Sequence, residues 1–139
     1  MLFRSNVGSY QGILPNSFSG AYATSKASLM RLTDSAAGEV VDQGVTIFCI
    51  SPGFVYTDMT KDLEAKLREV NPEFEGFDDS YKFPPEAAGE LCVRLARGEA
   101  DKLTGRMIHV RDDLDQMIAE ADQIVADDRY ALRLSVDLD

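Results

Sequence analysis

Tyr22 and Lys26 stand four residues apart in this 139-residue chain, a pairing of types that can move a proton. On a helix the two side chains share one face. An ammonium one turn from a phenol favours the phenolate, so a tyrosine placed there can give or take a proton near neutral pH. A carbonyl handled in this way also needs a donor at its oxygen, and Ser5, Ser9, Ser17 and Ser19 all precede the pair. Residue chemistry does not choose among them. The sole histidine, His109, lies in Met107-Ile108-His109-Val110 and reads as a strand residue without chemistry, since one histidine does not make a metal site. Cys49 and Cys92 sit in apolar runs without metal-ligand spacing and read as small buried hydrophobes.

The elements around the pair follow from periodicity. Phe3 to Val7 suits the end of a strand, and Gly8 to Gly20 is loop by its Gly, Ser, Asn and Pro content. Ala21 to about Asp42 forms a helix whose apolar stripe is Leu29, Leu32, Ala36, Ala37 and Val40, closed by Gln43-Gly44. Val45 to Ile50 is a short apolar run with β-branched residues, the mark of a parallel strand buried on both faces and needing neighbours on both edges. Ser51-Pro52-Gly53 breaks it. A charged helix from Asp58 to Val70, an irregular loop from Asn71 to Pro85 and a helix opened by Pro85 and stopping near Gly98 come next. Arg106 to Val110 is a second short strand. Leu114, Met117, Ile118, Ala121, Ile124 and Val125 mark one face of a final helix capped by Asp112 or Asp113.

Composition narrows the function classes. The formal charge of -10 opposes nucleic acid and anionic membrane surfaces, which draw on clustered Lys and Arg. No apolar run approaches a membrane span, and Met1 to Ser9 carries no secretory signal, so a cytoplasmic protein is expected.

Four ordered segments together resemble the second half of a short-chain dehydrogenase/reductase. They are Gly8-Ser9, Ala21-Tyr22-Ala23-Thr24-Ser25-Lys26-Ala27, Ser51-Pro52-Gly53-Phe54-Val55-Tyr56-Thr57 and Leu103-Thr104-Gly105-Arg106. The family's serine commonly lies thirteen residues before its tyrosine, the spacing of Ser9 to Tyr22. The resemblance runs from about Val7 to Val110. It implies an α/β fold, a partial Rossmann-like doubly wound parallel sheet. Residues 1–111 would be the C-terminal half of the family's domain, and residues 112–139 a helical extension and tail of it.

The same resemblance implies roles. Tyr22 would be the general acid/base, Lys26 would ease its ionisation and hold the nicotinamide ribose, and Ser9 would orient a carbonyl or alcohol substrate. Pro52, Gly53, Val55 and Thr57 would form the nicotinamide side of a site for NAD or NADP, with Thr57 near the phosphates. Phe54, Tyr56, Met59 and Phe83 would be available to line an apolar substrate pocket. The helix bearing Tyr22 and Lys26 would build a homo-oligomer.

The family's Gly-x-x-x-Gly-x-Gly turn, which lets the backbone approach a pyrophosphate, has no counterpart in these residues. Also missing are the residue that selects NAD from NADP and the asparagine that completes the catalytic group. The 139 residues alone are therefore expected to bind either cofactor weakly or not at all. A non-catalytic remnant acting as a binding or assembly module is the alternative. The extended-branch sugar epimerases share Tyr-x-x-x-Lys, but the Pro-Gly-Phe-Val-Tyr-Thr run favours the simpler reductases.

Overall fold

A computed structural model describes residues 2–15 and 19–134. Three parallel strands, β1 (Leu2–Val7), β2 (Val45–Ser51) and β3 (Met107–His109), form one sheet in the order β1-β2-β3. The apolar run at β2 therefore has a neighbour on each edge, with Val7 opposite Ile50 and Ser51 opposite His109.

Helices cover both faces, as a sheet buried on two sides requires. α1 (Gly20–Val40) lies on one face, where Met30 packs with Cys49 and Met107. Its end is a tight turn at Val41–Gln43 with Gly44 in the left-handed region at φ 73°, where a glycine meets no steric penalty. α2 (Asp58–Val70) follows β2, and α3 (Pro85–Ala96) opens on its proline. The other face holds Phe48, Ile50 and Ile108 against Leu91 and Leu95 of α3. Leu114 and Met117 of α4 (Leu114–Ala119) and Ala121 and Ile124 of α5 (Ala121–Ala126) complete the cluster. Each large side chain buried there contributes roughly 1.5–3 kcal/mol of transfer free energy.

Two expectations need correction. α1 buries Met30, Thr33 and Ala37, while Leu32 is left exposed. Its apolar residues cover two adjoining stripes, and the sheet selects the one in which Thr33 takes a hydrogen bond from Asn6 Nδ2 at 2.9 Å. The final helix is two helices broken at Glu120 (φ -96°, ψ 9°), and Val125 is exposed. The break bends the chain so that Leu114 and Met117 before it and Ala121 and Ile124 after it reach one cluster.

The two sheet edges differ. On the outer edge of β3 the Met107 N–H donates to the Tyr130 carbonyl at 2.9 Å, and the His109 N–H to Asp112 Oδ2 at 2.7 Å. The segment bearing Tyr130 is fastened in turn. Arg133 pairs with Asp34 of α1 and with Asp128, and Asp128 takes a bond from the buried Arg106 guanidinium at 2.7 Å. Among the described residues no strand pairs with the outer edge of β1, where Leu2 and Val7 are exposed.

Candidate active site

Every residue singled out for chemistry near the sheet emerges at the carboxyl end of a parallel strand or from α1 beside it. Val7 ends β1, and Gly8-Ser9 follows directly. Gly8 is held by its N–H to the Ile50 carbonyl at 2.8 Å. Ser9 leads a single turn at Tyr10–Gly12, and its Oγ accepts the Gln11 N–H at 3.2 Å. A hydroxyl whose lone pair is engaged still has its proton to donate.

Gly12 explains how that turn meets α1. A Cβ there would stand 2.7 Å from the Ala27 nitrogen and 2.9 Å from the Lys26 carbonyl carbon, so only glycine lets the loop lie flush on the helix. The contact brings the serine loop to the level of Lys26.

Lys26 Nζ donates to the Val7 carbonyl at 2.8 Å and lies 5.5 Å from the centre of the Tyr22 ring. One ammonium thus joins the end of β1 to the tyrosine one helical turn away, with further N–H donors to spare. Tyr22 is 43% exposed. Of the other serines, Ser5 is exposed on β1, Ser19 precedes α1 and takes the Ala23 N–H on its carbonyl, and Ser17 lies outside the described residues.

Behind β2 the chain turns at Pro52-Gly53. Gly53 has φ 72°, and a Cβ there would fall 2.4 Å from Phe83 Cδ2, so conformation and space both demand glycine. Phe83 donates its N–H to the Phe54 carbonyl at 2.8 Å, stitching the long loop to this turn. The Val55 carbonyl and the Thr57 N–H both meet the Thr60 hydroxyl, at 3.3 and 2.7 Å. Thr57 itself is exposed at the start of α2.

The predicted apolar pocket is not formed as a unit. Phe54 packs on Phe77, Phe83 meets the edge of His109, and Tyr56 and Met59 are exposed. The loop from Asn71 to Pro85 is anchored rather than loose. The buried Glu64 of α2 accepts the Phe77 N–H at 3.2 Å and the Tyr56 hydroxyl at 3.0 Å. Those bonds, the Phe77 N–H first, hold its carboxyl below the usual range.

Three further residues pack around the site, none of them read from the sequence as part of it. Burial pushes the Cys49 thiol up, beneath Gly8 and beside Thr33. Burial and then Asp112 push the Tyr10 hydroxyl up. His109 is buried, stacked on Tyr10 with ring centres 4.5 Å apart, and burial pushes its proton affinity below the usual histidine range. An aromatic residue directly after a strand-end serine is the one hint that could have pointed to this contact.

The donor set fits a nicotinamide ribose. Lys26 keeps donors free beyond its Val7 bond, and Tyr22 presents an accessible hydroxyl beside it. The Gly-x-x-x-Gly-x-Gly turn that would cradle a pyrophosphate is not found in this sequence. Among the described residues no cluster of His, Cys, Asp and Glu suits a metal ion, and no helix is long and apolar enough to cross a membrane.

A parallel α/β sheet with Ser9, Tyr22 and Lys26 at its carboxyl end defines a partial Rossmann-like fold. Comparison with known proteins agrees. A profile of the short chain dehydrogenase family matches residues 6–68. A 3-oxoacyl-(acyl-carrier-protein) reductase of Rickettsia felis is 35% identical over 105 residues, 76% of this chain and 43% of the relative. The Vibrio harveyi reductase of the same name is 36% identical over 105 residues, 76% of this chain and 42% of the relative. A short chain dehydrogenase family protein from Francisella tularensis superimposes with a TM-score of 0.67 at 22% identity, covering 77% of this chain and 48% of that one. The chain belongs to the short-chain dehydrogenase/reductase family. It spans less than half the length of these curated relatives.

Proposed function

We propose that these residues are the catalytic half of an NAD(P)-dependent oxidoreductase that interconverts a carbonyl and a secondary alcohol. The observation that carries the reading is Lys26, whose ammonium ties the Val7 carbonyl beside Ser9 to the ring of Tyr22. Ser9 keeps its proton and donates a hydrogen bond from its hydroxyl to the substrate oxygen. Tyr22 gives a proton to that oxygen in reduction and removes it in oxidation. Lys26 holds the tyrosine and the ribose hydroxyls in register. Pro52, Gly53, Val55 and Thr57 border the nicotinamide. The cofactor, NAD or NADP, supplies or accepts the hydride when bound.

The names of the relatives and the ring cluster of Phe54, Phe74 and Phe77 support an apolar acyl substrate with a 3-oxo group. The same reading carries a cytoplasmic location and a homo-oligomer through α1, where Leu32 stands exposed.

The test is consumption of reduced nicotinamide by the native polypeptide that contains these residues, offered 3-oxoacyl thioesters and simple ketones. Tyr22→Phe is expected to lower kcat by about 10²-fold or more, as loss of a positioned acid/base does. Turnover unchanged in that variant would overturn the proposal.

A further inference from the structure

We propose that His109 is a positioning residue, the middle ring of a three-ring column that couples the serine loop behind β1 to the Pro52-Gly53 turn behind β2. The inference rests on the reading that those two segments face one substrate and one nicotinamide.

The column is continuous. Tyr10, the chain neighbour of Ser9, stacks on His109 with centres 4.5 Å apart and planes 11° from parallel. Phe83 meets His109 edge-on, with centres 5.6 Å apart and planes at 81°. Phe83 in turn fills the space where a Cβ of Gly53 would be, 2.4 Å from its Cδ2. Offset stacks and edge-on contacts are the preferred aromatic geometries, and each holds its neighbour in place.

The backbone does not make this link. β1 and β3 lie on opposite sides of β2, about 10 Å apart at ordinary strand spacing, so no ladder hydrogen bond joins the serine loop to β3. Tyr10 spans that gap and rests on the last residue of β3. The central ring is held on its own account. Its backbone N–H goes to Asp112 Oδ2 at 2.7 Å, and its Nδ1 accepts the Arg111 N–H at 2.9 Å. An accepting Nδ1 places the proton on Nε2, the neutral tautomer. A flat, uncharged and buried ring can stack on Tyr10 and still meet Phe83 nearly at right angles. An aliphatic residue would fill the volume without transmitting orientation.

Amide chemical shifts of the 15N-labelled 139-residue chain test the coupling. Phe83→Leu is expected to shift the amides of Ser9, Tyr10 and Gln11 as well as those near Gly53, although the described contacts of Phe83 do not include Tyr10. In a His109→Ala background the same change is expected to stay near Gly53, and His109→Phe is expected to restore the long-range effect. If His109→Ala does not fold, His109→Leu replaces it, filling the space without a ring face. Shifts confined to Gly53 and its neighbours in the otherwise unaltered chain would overturn the proposal. So would a long-range effect that survives removal of the ring.

In the native polypeptide, His109→Ala is expected to lower kcat by on the order of 10-fold or more with little change in KM, while His109→Phe stays within about threefold. Equal losses in both variants would also overturn it. If the unaltered polypeptide turns over no carbonyl, the proposed function fails, and the amide shifts still decide the coupling.

Discussion

Gly8→Ala provides a test of the packing beneath the serine loop with a built-in control. Gly8 is buried, and a Cβ there would stand 2.4 Å from Cys49 Sγ. An ordinary contact is near 3.8 Å, so the methyl intrudes by about 1.4 Å. Cys49 is 1% exposed and packed with Met30 and Met107, so its sulfur has little room to rotate away. Overpacking of this kind costs about 1–3 kcal/mol. At roughly 2.1 cal/mol/K per residue, 139 residues unfold with an entropy of about 290 cal/mol/K. Each kcal/mol then moves Tm by about 3 °C, and Gly8→Ala is expected to lower it by about 3–10 °C.

Cys49→Ala alone removes one buried atom and costs about 1 kcal/mol. In the double variant the new methyl enters the space the sulfur leaves. The combined loss should then fall short of the sum by about 1–2 kcal/mol, and the double variant should melt no lower than Gly8→Ala. Thermal melts of the four proteins measure the cycle. Simple additivity, with the double variant the least stable of the four, would refute the steric argument.

Three other outcomes are expected. Burial holds the proton affinity of folded His109 down, Arg111 adds to the effect and Asp112 opposes it, so below a pH of about 6.5 the unfolded chain takes a proton that the folded chain refuses. Stability should therefore fall as pH drops from 7 towards 5, and urea midpoints of His109→Phe should lose that slope; a slope retained in the variant assigns it elsewhere. Asp128→Ala leaves the buried Arg106 guanidinium without its partner and should cost about 1–2 kcal/mol, discounted for the partial exposure of Asp128, with Asp128→Asn costing less. Chemical denaturation measures both, and equal losses would assign the whole effect to the charge and none to the hydrogen bond that asparagine still accepts. Calorimetric titration of the 139 residues with NAD(H) or NADP(H) should show no micromolar binding, and such binding would falsify the expectation that a dinucleotide needs the glycine-rich turn these residues lack.

The parts of the fold legible in the sequence are those set by local pattern. The run of β-branched and apolar residues at Val45–Ile50, the glycine that closes α1 and the proline that opens α3 each act within a few residues of themselves. What was not legible depends on partners distant in sequence. Leu29 and Leu32 compete with Met30 and Thr33 for the buried face of α1, and only the sheet, through Asn6, decides between them. The break at Glu120 likewise answers to a cluster built from β2, β3 and α3.

The candidate site divides in the same way. Tyr22 and Lys26 share a helix face by spacing alone. What raises Ser9 above Ser5 and Ser19 in the structure is its position behind Val7, in the loop where Gly12 lies flush on α1. His109 reads in sequence as one more strand residue, because the rings it touches are some 26 and 99 positions away.

The unequal edges of the sheet set a rule for association. With both outward N–H groups of β3 already engaged, strands can be added on the β1 side only. Two copies meeting there would do so about a twofold axis, and each would consume the other's open edge. Growth by that route ends at a pair and does not run on into a fibre. A strand from a longer polypeptide would claim the same place, and its own outer edge would then take over the part that β1 plays here.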